Sequence, residues 1–445
     1  MTEEKEQEEE HHQKEQQKQN QEFDPQKIEQ FISKVINDLG ATSNVALAFI
    51  GDKLGLYKAM ARANNNNAGN GLTSQELANL TGTNERYVRE WLAEQVCGGY
   101  VTYDPRTDNY SLPKEHAIVL TDESSPAYIP GVFQLIMSAL RTEPKVSEAF
   151  HTGGGFSWTE HEHGVFEGQA RFSTPIYKSN LVTNWIPSLD GIEEKLKQGG
   201  GNGSCHRAAK VADVGCGYGA STMIMAKVYP NSTFYGFDYH VQSIESARKQ
   251  AEREGLTNDR IKFEVASSTD FPGPTNFTFD DISANSRSSS PLLHPHIQRD
   301  VKGNDGEGGY DLITFFDCFH DMSDPYAVAR HVRNMLKPDG TCMIVEVSSN
   351  DKLEENIASP LARVGYAGSV FVCIPTALAK TSTTVGDGSS SSSTYESSNN
   401  TVDNILPLGA MPGISKIEDI MKASGFSKFR CTFNNGFNMV LEARP

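Results

Sequence analysis

From residue 27 to 62, apolar positions recur at helical spacing: Ile28, Phe31, Ile32, Val35 and Ile36, then Val45, Leu47, Phe49, Ile50 and Leu54. The Asn- and Gly-rich stretch Asn64–Gly71 breaks that period and reads as a loop. Thr73-Ser-Gln-Glu76 has the spacing of a capping box and predicts a helix through Leu80. After the turn Thr81-Gly-Thr83, a second helix over about 84–96 is expected to bury Tyr87, Val88, Trp91 and Leu92. Gly99–Tyr103 and Tyr110–Leu112 flank a polar turn as a hairpin. Helix, helix-turn-helix and hairpin, in that order, predict a winged helix.

Residues 121–200 read as mainly helical, with Phe150, Phe156, Trp158, Phe166, Phe172, Tyr177 and Trp185 spread through them. From Lys210 the pattern changes to β–α alternation. Apolar strands are expected at Val211–Val214, Phe234–Phe237, Ile261–Val265, Leu312–Phe316 and Cys342–Val347, with helical segments between most of them, which predicts a parallel sheet. Lys428–Phe433 and Phe437–Glu442, joined by Asn434-Asn-Gly436, predict a closing hairpin. Low-complexity insertions near 274–309 and 381–404 are expected to be disordered. The division that follows is an acidic, Gln-rich disordered tail at 1–26, a winged-helix domain at 27–120, a helical linker and pocket segment at 121–205, and an α/β domain at 206–445.

Composition narrows the function classes. Of the net charge of −17, residues 1–22 contribute −5 through eight Glu and three Lys, and no basic block offsets the rest. Nucleic acid and anionic membrane surfaces are therefore not expected partners. The seven cysteines are an odd number without a C-x-x-C pair, which fits neither a disulfide framework nor a zinc site; no metal is expected. The N-terminus is acidic rather than leader-like, and no apolar run approaches the ~20 residues that span a bilayer. A cytoplasmic protein is the expectation.

The chemistry concentrates after the first predicted strand. Val211-Ala-Asp-Val-Gly-Cys-Gly-Tyr-Gly219 places Gly215, Gly217 and Gly219 between that strand and a helix opening at Ala220. Glycines let the backbone turn sharply and approach a ligand, and the helix N-terminus offers free N–H donors. The loop also satisfies G-x-G-x-x-[G/A], so a dinucleotide site competes with a site for S-adenosylmethionine. Two features favour the latter, and one between them fits both. Asp213, two before the first glycine, suits an ammonium and would repel a pyrophosphate. Asp238, ending Phe234-Tyr-Gly-Phe-Asp238, can take both ribose hydroxyls, a need both cofactors share. The hairpin closes the domain where a doubly wound dinucleotide fold would continue with parallel units.

With those stretches in view, residues 27–445 resemble the winged-helix class I S-adenosylmethionine-dependent methyltransferases, a family best represented in actinobacteria. The matching segments are Glu85-Arg-Tyr-Val-Arg-Glu-Trp-Leu92, Val211–Gly219, Gly236-Phe-Asp-Tyr-His240, Phe315-Phe-Asp-Cys-Phe-His-Asp-Met322 and Leu441-Glu-Ala-Arg-Pro445. The resemblance implies a Rossmann-like α/β fold of seven strands behind a mainly helical winged-helix domain. It places Asp213, Gly215 and Gly217 along the methionine half of the cofactor, Asp238 on the ribose, Tyr239 beside the adenine, and Phe316 and Asp317 over it. Where many relatives carry an Asp against the adenine amino group, this chain has Val265-Ala-Ser-Ser268, leaving Ser267 or Ser268.

Methyl transfer from a sulfonium is an in-line displacement that needs alignment and no metal, but a hydroxyl acceptor gains from losing its proton. His320, in Phe319-His-Asp-Met-Ser-Asp324, is similar to the basic histidine of plant-type O-methyltransferases, and Glu346 falls where those enzymes orient it. Packing of the loop is the alternative role. Trp158-Thr-Glu-His-Glu-His163 offers Trp158, His161 and His163 as lining of a substrate cavity, as surface groups, or as a metal pair lacking further ligands. Tyr366 and Phe371 are candidate cavity walls or ordinary core.

A regulator that senses S-adenosylmethionine and binds DNA is the rival reading. Residues 27–120 hold nine Lys and Arg against ten Asp and Glu, the wrong footprint for a recognition helix. In enzymes of this layout the winged helix forms a homodimer and walls off the pocket. The expectation is a methyltransferase acting on a small molecule, more at oxygen than nitrogen.

Overall fold

The computed structural model describes residues 23–66, 71–199, 208–256, 260–274, 308–379 and 407–445. The tail through residue 22 and nearly all of both insertions lie outside them. The chain forms two compact units, one through Ala117 and one from Ile118.

The first unit opens with α1 (Pro25–Lys53), whose start is set by the Asp24 carboxylate accepting from the Gln26 and Lys27 N–H groups and by proline at the first helical position. Helix α2 (Leu56–Asn66) follows, then α3 (Ser74–Thr81) and α4 (Glu85–Cys97). Both halves of the Thr73/Glu76 capping box are formed, and α3 ends on Gly82 at φ 65°. Strands β1 (Thr102–Asp104) and β2 (Asn109–Ser111) pair antiparallel as the wing. Helix α4 buries Val88, Trp91, Leu92 and Gln95, a stripe at i, i+3, i+4 and i+7. Tyr87 sits one position off that stripe and is 81% exposed, a correction to its expected burial.

The second unit carries a seven-stranded sheet of β3 (Ala209–Val214), β4 (Ser232–Asp238), β5 (Ile261–Val265), β6 (Tyr310–Phe316), β7 (Leu336–Val347), β8 (Lys428–Asn434) and β9 (Asn438–Arg444). The order is β5-β4-β3-β6-β7-β9-β8, parallel except for β9, which runs against both neighbours. Strand β7 starts six residues before its expected beginning at Cys342, because the polar Lys337-Pro-Asp-Gly340 run shows no apolar alternation yet joins the ladder at Tyr310↔Leu336.

Alternation of side chains along the strands builds two cores. Ala212, Val214, Tyr235, Phe237, Ile313, Phe315 and Ile344 meet α8 (Pro325–Met335) and α9 (Ile414–Ala423), numbered after α5 (His163–Asn180), α6 (Ala220–Val228) and α7 (Val241–Arg253). Val211, Phe234, Leu312, Phe316, Met343 and Val345 meet α5, α6 and the helical segment Ile192–Gln198 on the opposite face. The strands are thus buried on both faces, as parallel sheets require. Chain order reverses between β3 and β6, and the crevice at their carboxyl ends is where such sheets take ligands.

Candidate functional site

At that crevice β3 ends at Val214, and Gly215, Gly217 and Gly219 turn the chain at φ 73°, 52° and 77°. A Cβ at Gly215 would lie 2.7 Å from Cys318 Sγ, and one at Gly219 would lie 2.6 Å from the Phe263 ring; at Gly217 it would meet open space. Two glycines therefore let the loop pack down, while the third leaves its face clear. The Asp238 carboxylate anchors the loop from the end of β4, accepting from Gly217 N–H at 2.9 Å and from His240 N–H at 2.8 Å. Burial pushes the Asp238 carboxyl above its usual range.

A cavity of about 1150 Å³ opens beside this loop. Gly215, Gly217, Asp238, Tyr239, Ser267, Ser268, Phe316 and Asp317 line it, so the structure brings most of the expected cofactor residues to one wall. Asp213 departs from its expected place along the cavity: it is 1% exposed and not among the lining residues. Ser221 and Thr222 donate to one of its oxygens at 2.6 Å each and Thr314 to the other at 3.1 Å. Its carboxylate ties α6 and β6 to β3 from behind the loop. Gly219 likewise serves as the cap of α6 and is not a lining residue.

His320 stands in the 3-10 turn Phe319–Asp321 just after β6, is 5% exposed and lines the cavity. Its Nδ1 lies 2.5 Å from Oε2 of the fully buried Glu346 on β7, and its backbone N–H donates to the other oxygen at 3.2 Å. Its Nε2 lies 3.2 Å from Asp321 Oδ1 and 3.4 Å from Cys373 Sγ. Burial opposes a charge on this ring, but Asp321 and Glu346 outweigh burial and hold its pKa well above the ordinary value.

Of the second cluster, Trp158 lines the cavity and packs tilted against Phe166, with ring centroids 5.1 Å apart. His161 and His163 do not. His161 is buried with Nε2 3.3 Å from Thr376 Oγ1, and burial depresses its pKa to about 4. The His163 side chain is 68% exposed and pairs with Glu167 at 3.2 Å. The two side chains have different surroundings: His161 belongs to the extended segment before α5, while His163 is the first residue of the helix. Tyr366 is 37% exposed, its hydroxyl accepting from Asn356, and Phe371 packs against the buried cluster that includes Val165 and Val372. Among the lining residues not singled out from the sequence are Tyr177, Cys318 and Cys373. Tyr177 carried only an aromatic signal within a helical stretch, and the cysteines carried none.

The residues fit S-adenosylmethionine, with its sulfonium, ammonium and ribose. Asp317 Oδ1 is buried without a hydrogen-bond partner among the described residues, and an unpaired buried acceptor costs about 1–3 kcal/mol until something pairs it. Carboxylates of Glu160, Asp238, Asp317 and Asp321 reach the cavity, and no Lys or Arg is among the described lining residues. Such a lining attracts cationic groups.

Comparison with known proteins agrees. Residues 42–122 match the family model for an Rv2258c-like winged HTH domain, and residues 205–364 match a methyltransferase domain. The ubiquinone biosynthesis O-methyltransferase of Psychrobacter cryohalolentis is 22% identical over 223 residues, 48% of this chain and 68% of that protein. An O-methyltransferase family protein from Burkholderia thailandensis superposes with a TM-score of 0.55 at 15% identity, covering 93% of this chain and 97% of the other. Human N-acetylserotonin methyltransferase, solved with S-adenosylmethionine, gives 0.58 at 13% identity, covering 93% and 97%. The loop, the sheet order and both domain matches lead to one family: the chain is a class I S-adenosylmethionine-dependent methyltransferase with an N-terminal winged-helix domain.

Proposed function

We propose that this methyltransferase acts on a hydroxyl of a small, uncharged or cationic molecule, with His320 as general base. S-adenosylmethionine, when bound, supplies an electrophilic methyl on a sulfonium. The observation that carries the base role is the His320–Glu346 pair: a carboxylate on Nδ1 fixes the ring so that Nε2 faces the cavity. A positively charged ligand beside Asp317 and Asp321 offsets the carboxylates that hold His320 protonated, and so returns the ring toward its basic form. Oxygen as acceptor atom is supported by the names of the similar proteins, and the cavity wall of Phe156, Trp158, Val165 and Phe166 suits an aromatic body. The carboxylate-rich lining, without Lys or Arg among its described residues, disfavours an acceptor bearing a carboxylate or phosphate.

Asp238, Tyr239, Gly215, Gly217, Phe316, Asp317 and Ser267 or Ser268 hold the cofactor in this reading, and Trp158 holds the acceptor. The winged helix serves as a homodimer surface. Along the first half of α1, Ile28, Phe31, Ile32, Ile36 and Leu39 are 47–66% exposed, an apolar stripe a second copy would cover. Its recognition-helix arginines are engaged within α4, Arg89 with Glu85 and Arg86 with Glu90, which weighs against DNA. No helix among the described residues is long and apolar enough to cross a membrane. A cytoplasmic setting is the reading that the unpaired cysteine count supports.

Calorimetric titration of S-adenosylmethionine into wild type and Asp238→Ala tests the cofactor site. Micromolar-range binding lost at least 100-fold in the variant is expected; equal affinities would sink the assignment. A metabolite screen with labelled S-adenosylmethionine, repeated with His320→Ala, tests acceptor and base together. Filter binding of random DNA at low salt tests the regulator, which tight binding would revive.

A further inference from the structure

We propose that His320, Asp321 and Cys373 form a site for a divalent transition-metal cation of the zinc class, with one coordination position open to the cavity. The donor atoms His320 Nε2, a carboxylate oxygen of Asp321 and Cys373 Sγ all lie within 4.8 Å of one another. Nε2 is 3.2 Å from Asp321 Oδ1 and 3.4 Å from the sulfur. Tetrahedral zinc, with bonds of about 2.0–2.3 Å, sets its ligands roughly 3.5 Å apart, so His320 already stands near coordination spacing from both other groups, and Asp321 and Cys373 lie within 4.8 Å of each other.

Two independent observations point to a ligand there. Asp321 Oδ1 is buried and accepts no hydrogen bond among the described residues, with His320 Nε2 its ion-pair neighbour at 3.2 Å. His320 presents its other nitrogen to Glu346 at 2.5 Å, the carboxylate–histidine arrangement that fixes the tautomer of metal-ligating histidines. Imidazole, thiolate and carboxylate together suit zinc, cobalt or nickel, and not magnesium or calcium. All three residues line the cavity, so a fourth ligand reaches the ion from that side. Cys373 comes from the π-helical turn Ser369–Cys373, 52 positions after Asp321, and no short-range cysteine spacing announces it. His161 and His163 take no part.

Coordination releases to solvent both the Cys373 thiol proton and the proton that the charged His320 ring carries on Nε2, and it occupies the Nε2 lone pair that base chemistry requires. An occupied site is therefore a silenced one, and the cation is an inhibitor that a chelator removes. The inference concerns the histidine of the proposed base but does not rest on turnover.

The test is titration of the chelator-treated full-length chain with Co²⁺. Wild type is expected to show a thiolate-to-cobalt charge-transfer band that Zn²⁺ displaces. Cys373→Ser, checked for folding by S-adenosylmethionine binding, should lose the band, and Asp321→Asn should bind Co²⁺ at least 10-fold more weakly. Absence of the band in wild type, or an undiminished band in Cys373→Ser, overturns the site. If the serine variant does not fold, Asp321→Asn decides, and unchanged cobalt affinity overturns it. The band needs no acceptor and no methyl transfer, so failure of the base reading would leave it intact.

Discussion

Tyr177 donates to Asp317 Oδ2 at 3.3 Å, while Asp317 Oδ1 is buried beside it with no hydrogen-bond partner among the described residues. Asp317 also holds φ at 50°, a left-handed conformation that a non-glycine residue adopts at a cost of about 1 kcal/mol. A strained, half-satisfied carboxylate on a cavity wall is poised for a ligand.

Burial first, then Glu346, raises the Asp317 carboxyl to about 7, against opposing help from His320 and Tyr177. A cation prefers the ionised form. S-adenosylmethionine affinity should therefore rise about 10-fold between pH 6 and pH 8, as the ionised fraction does. Asp317→Asn should flatten that slope, and S-adenosylhomocysteine, lacking the sulfonium charge, should show a shallower one. Because the folded pKa lies above the unfolded value, unliganded stability should fall as pH rises from about 4 to about 7. Calorimetry at several pH values checks the binding, and an equal slope in wild type and variant would refute this role.

Glu346→Gln should lower kcat at least about 100-fold while leaving S-adenosylmethionine affinity within a few fold, because Glu346 contacts His320 and does not line the cavity. The pH profile separates orientation from mere packing. His320 is held above its ordinary pKa by Asp321 and Glu346 against the effect of burial, so the acid limb of kcat/KM in wild type should lie above pH 6.5. Removing the Glu346 charge should move that limb to lower pH. A limb that does not move would refute the coupling.

How far the site was legible depended on how local each signal is. The glycine loop and Asp238 are read from adjacent residues, because a tight strand-to-helix turn and the acid ending the next strand are both local demands. Asp213 was placed at the right turn but given the wrong neighbours, since its partner Thr314 lies 101 positions away on another strand. His161 and His163 are two positions apart, yet one ring is buried against Thr376 and the other is exposed beside Glu167, because the helix begins between them, a boundary that a residue list does not show. Cys373 meets His320 only through a π turn that no apolar period encodes. The sheet was legible almost strand for strand, because strands buried on both faces are continuous apolar runs.

The lining should also set acceptor charge. Two acceptors alike except for a carboxylate in place of a neutral group should differ in kcat/KM by at least about 100-fold, since like charge in a desolvated site costs several kcal/mol. Paired neutral and carboxylated phenols, assayed with labelled S-adenosylmethionine, make the comparison. Preference for the anionic member would refute this view of the cavity.

The exposed stripe of α1 makes the last prediction. Over its 29 residues the buried positions are Asn44, Ala48 and Gly51, all in the second half. In the first half Ile32 and Ile36 are 51% and 61% exposed, with Phe31 at 66% and Leu39 at 64% beside them. Leaving such side chains in water forfeits about 1.5–3 kcal/mol apiece relative to full burial, so several together can hold a second copy. A glutamate at the centre of that contact would be desolvated without a partner. Ile32→Glu should therefore convert a dimer to a monomer in sedimentation equilibrium. S-adenosylmethionine binding should survive, because the glycine loop and Asp238 belong to the other compact unit. A wild-type chain that sediments as a monomer, or an Ile32→Glu chain that stays dimeric, would remove α1 from the interface.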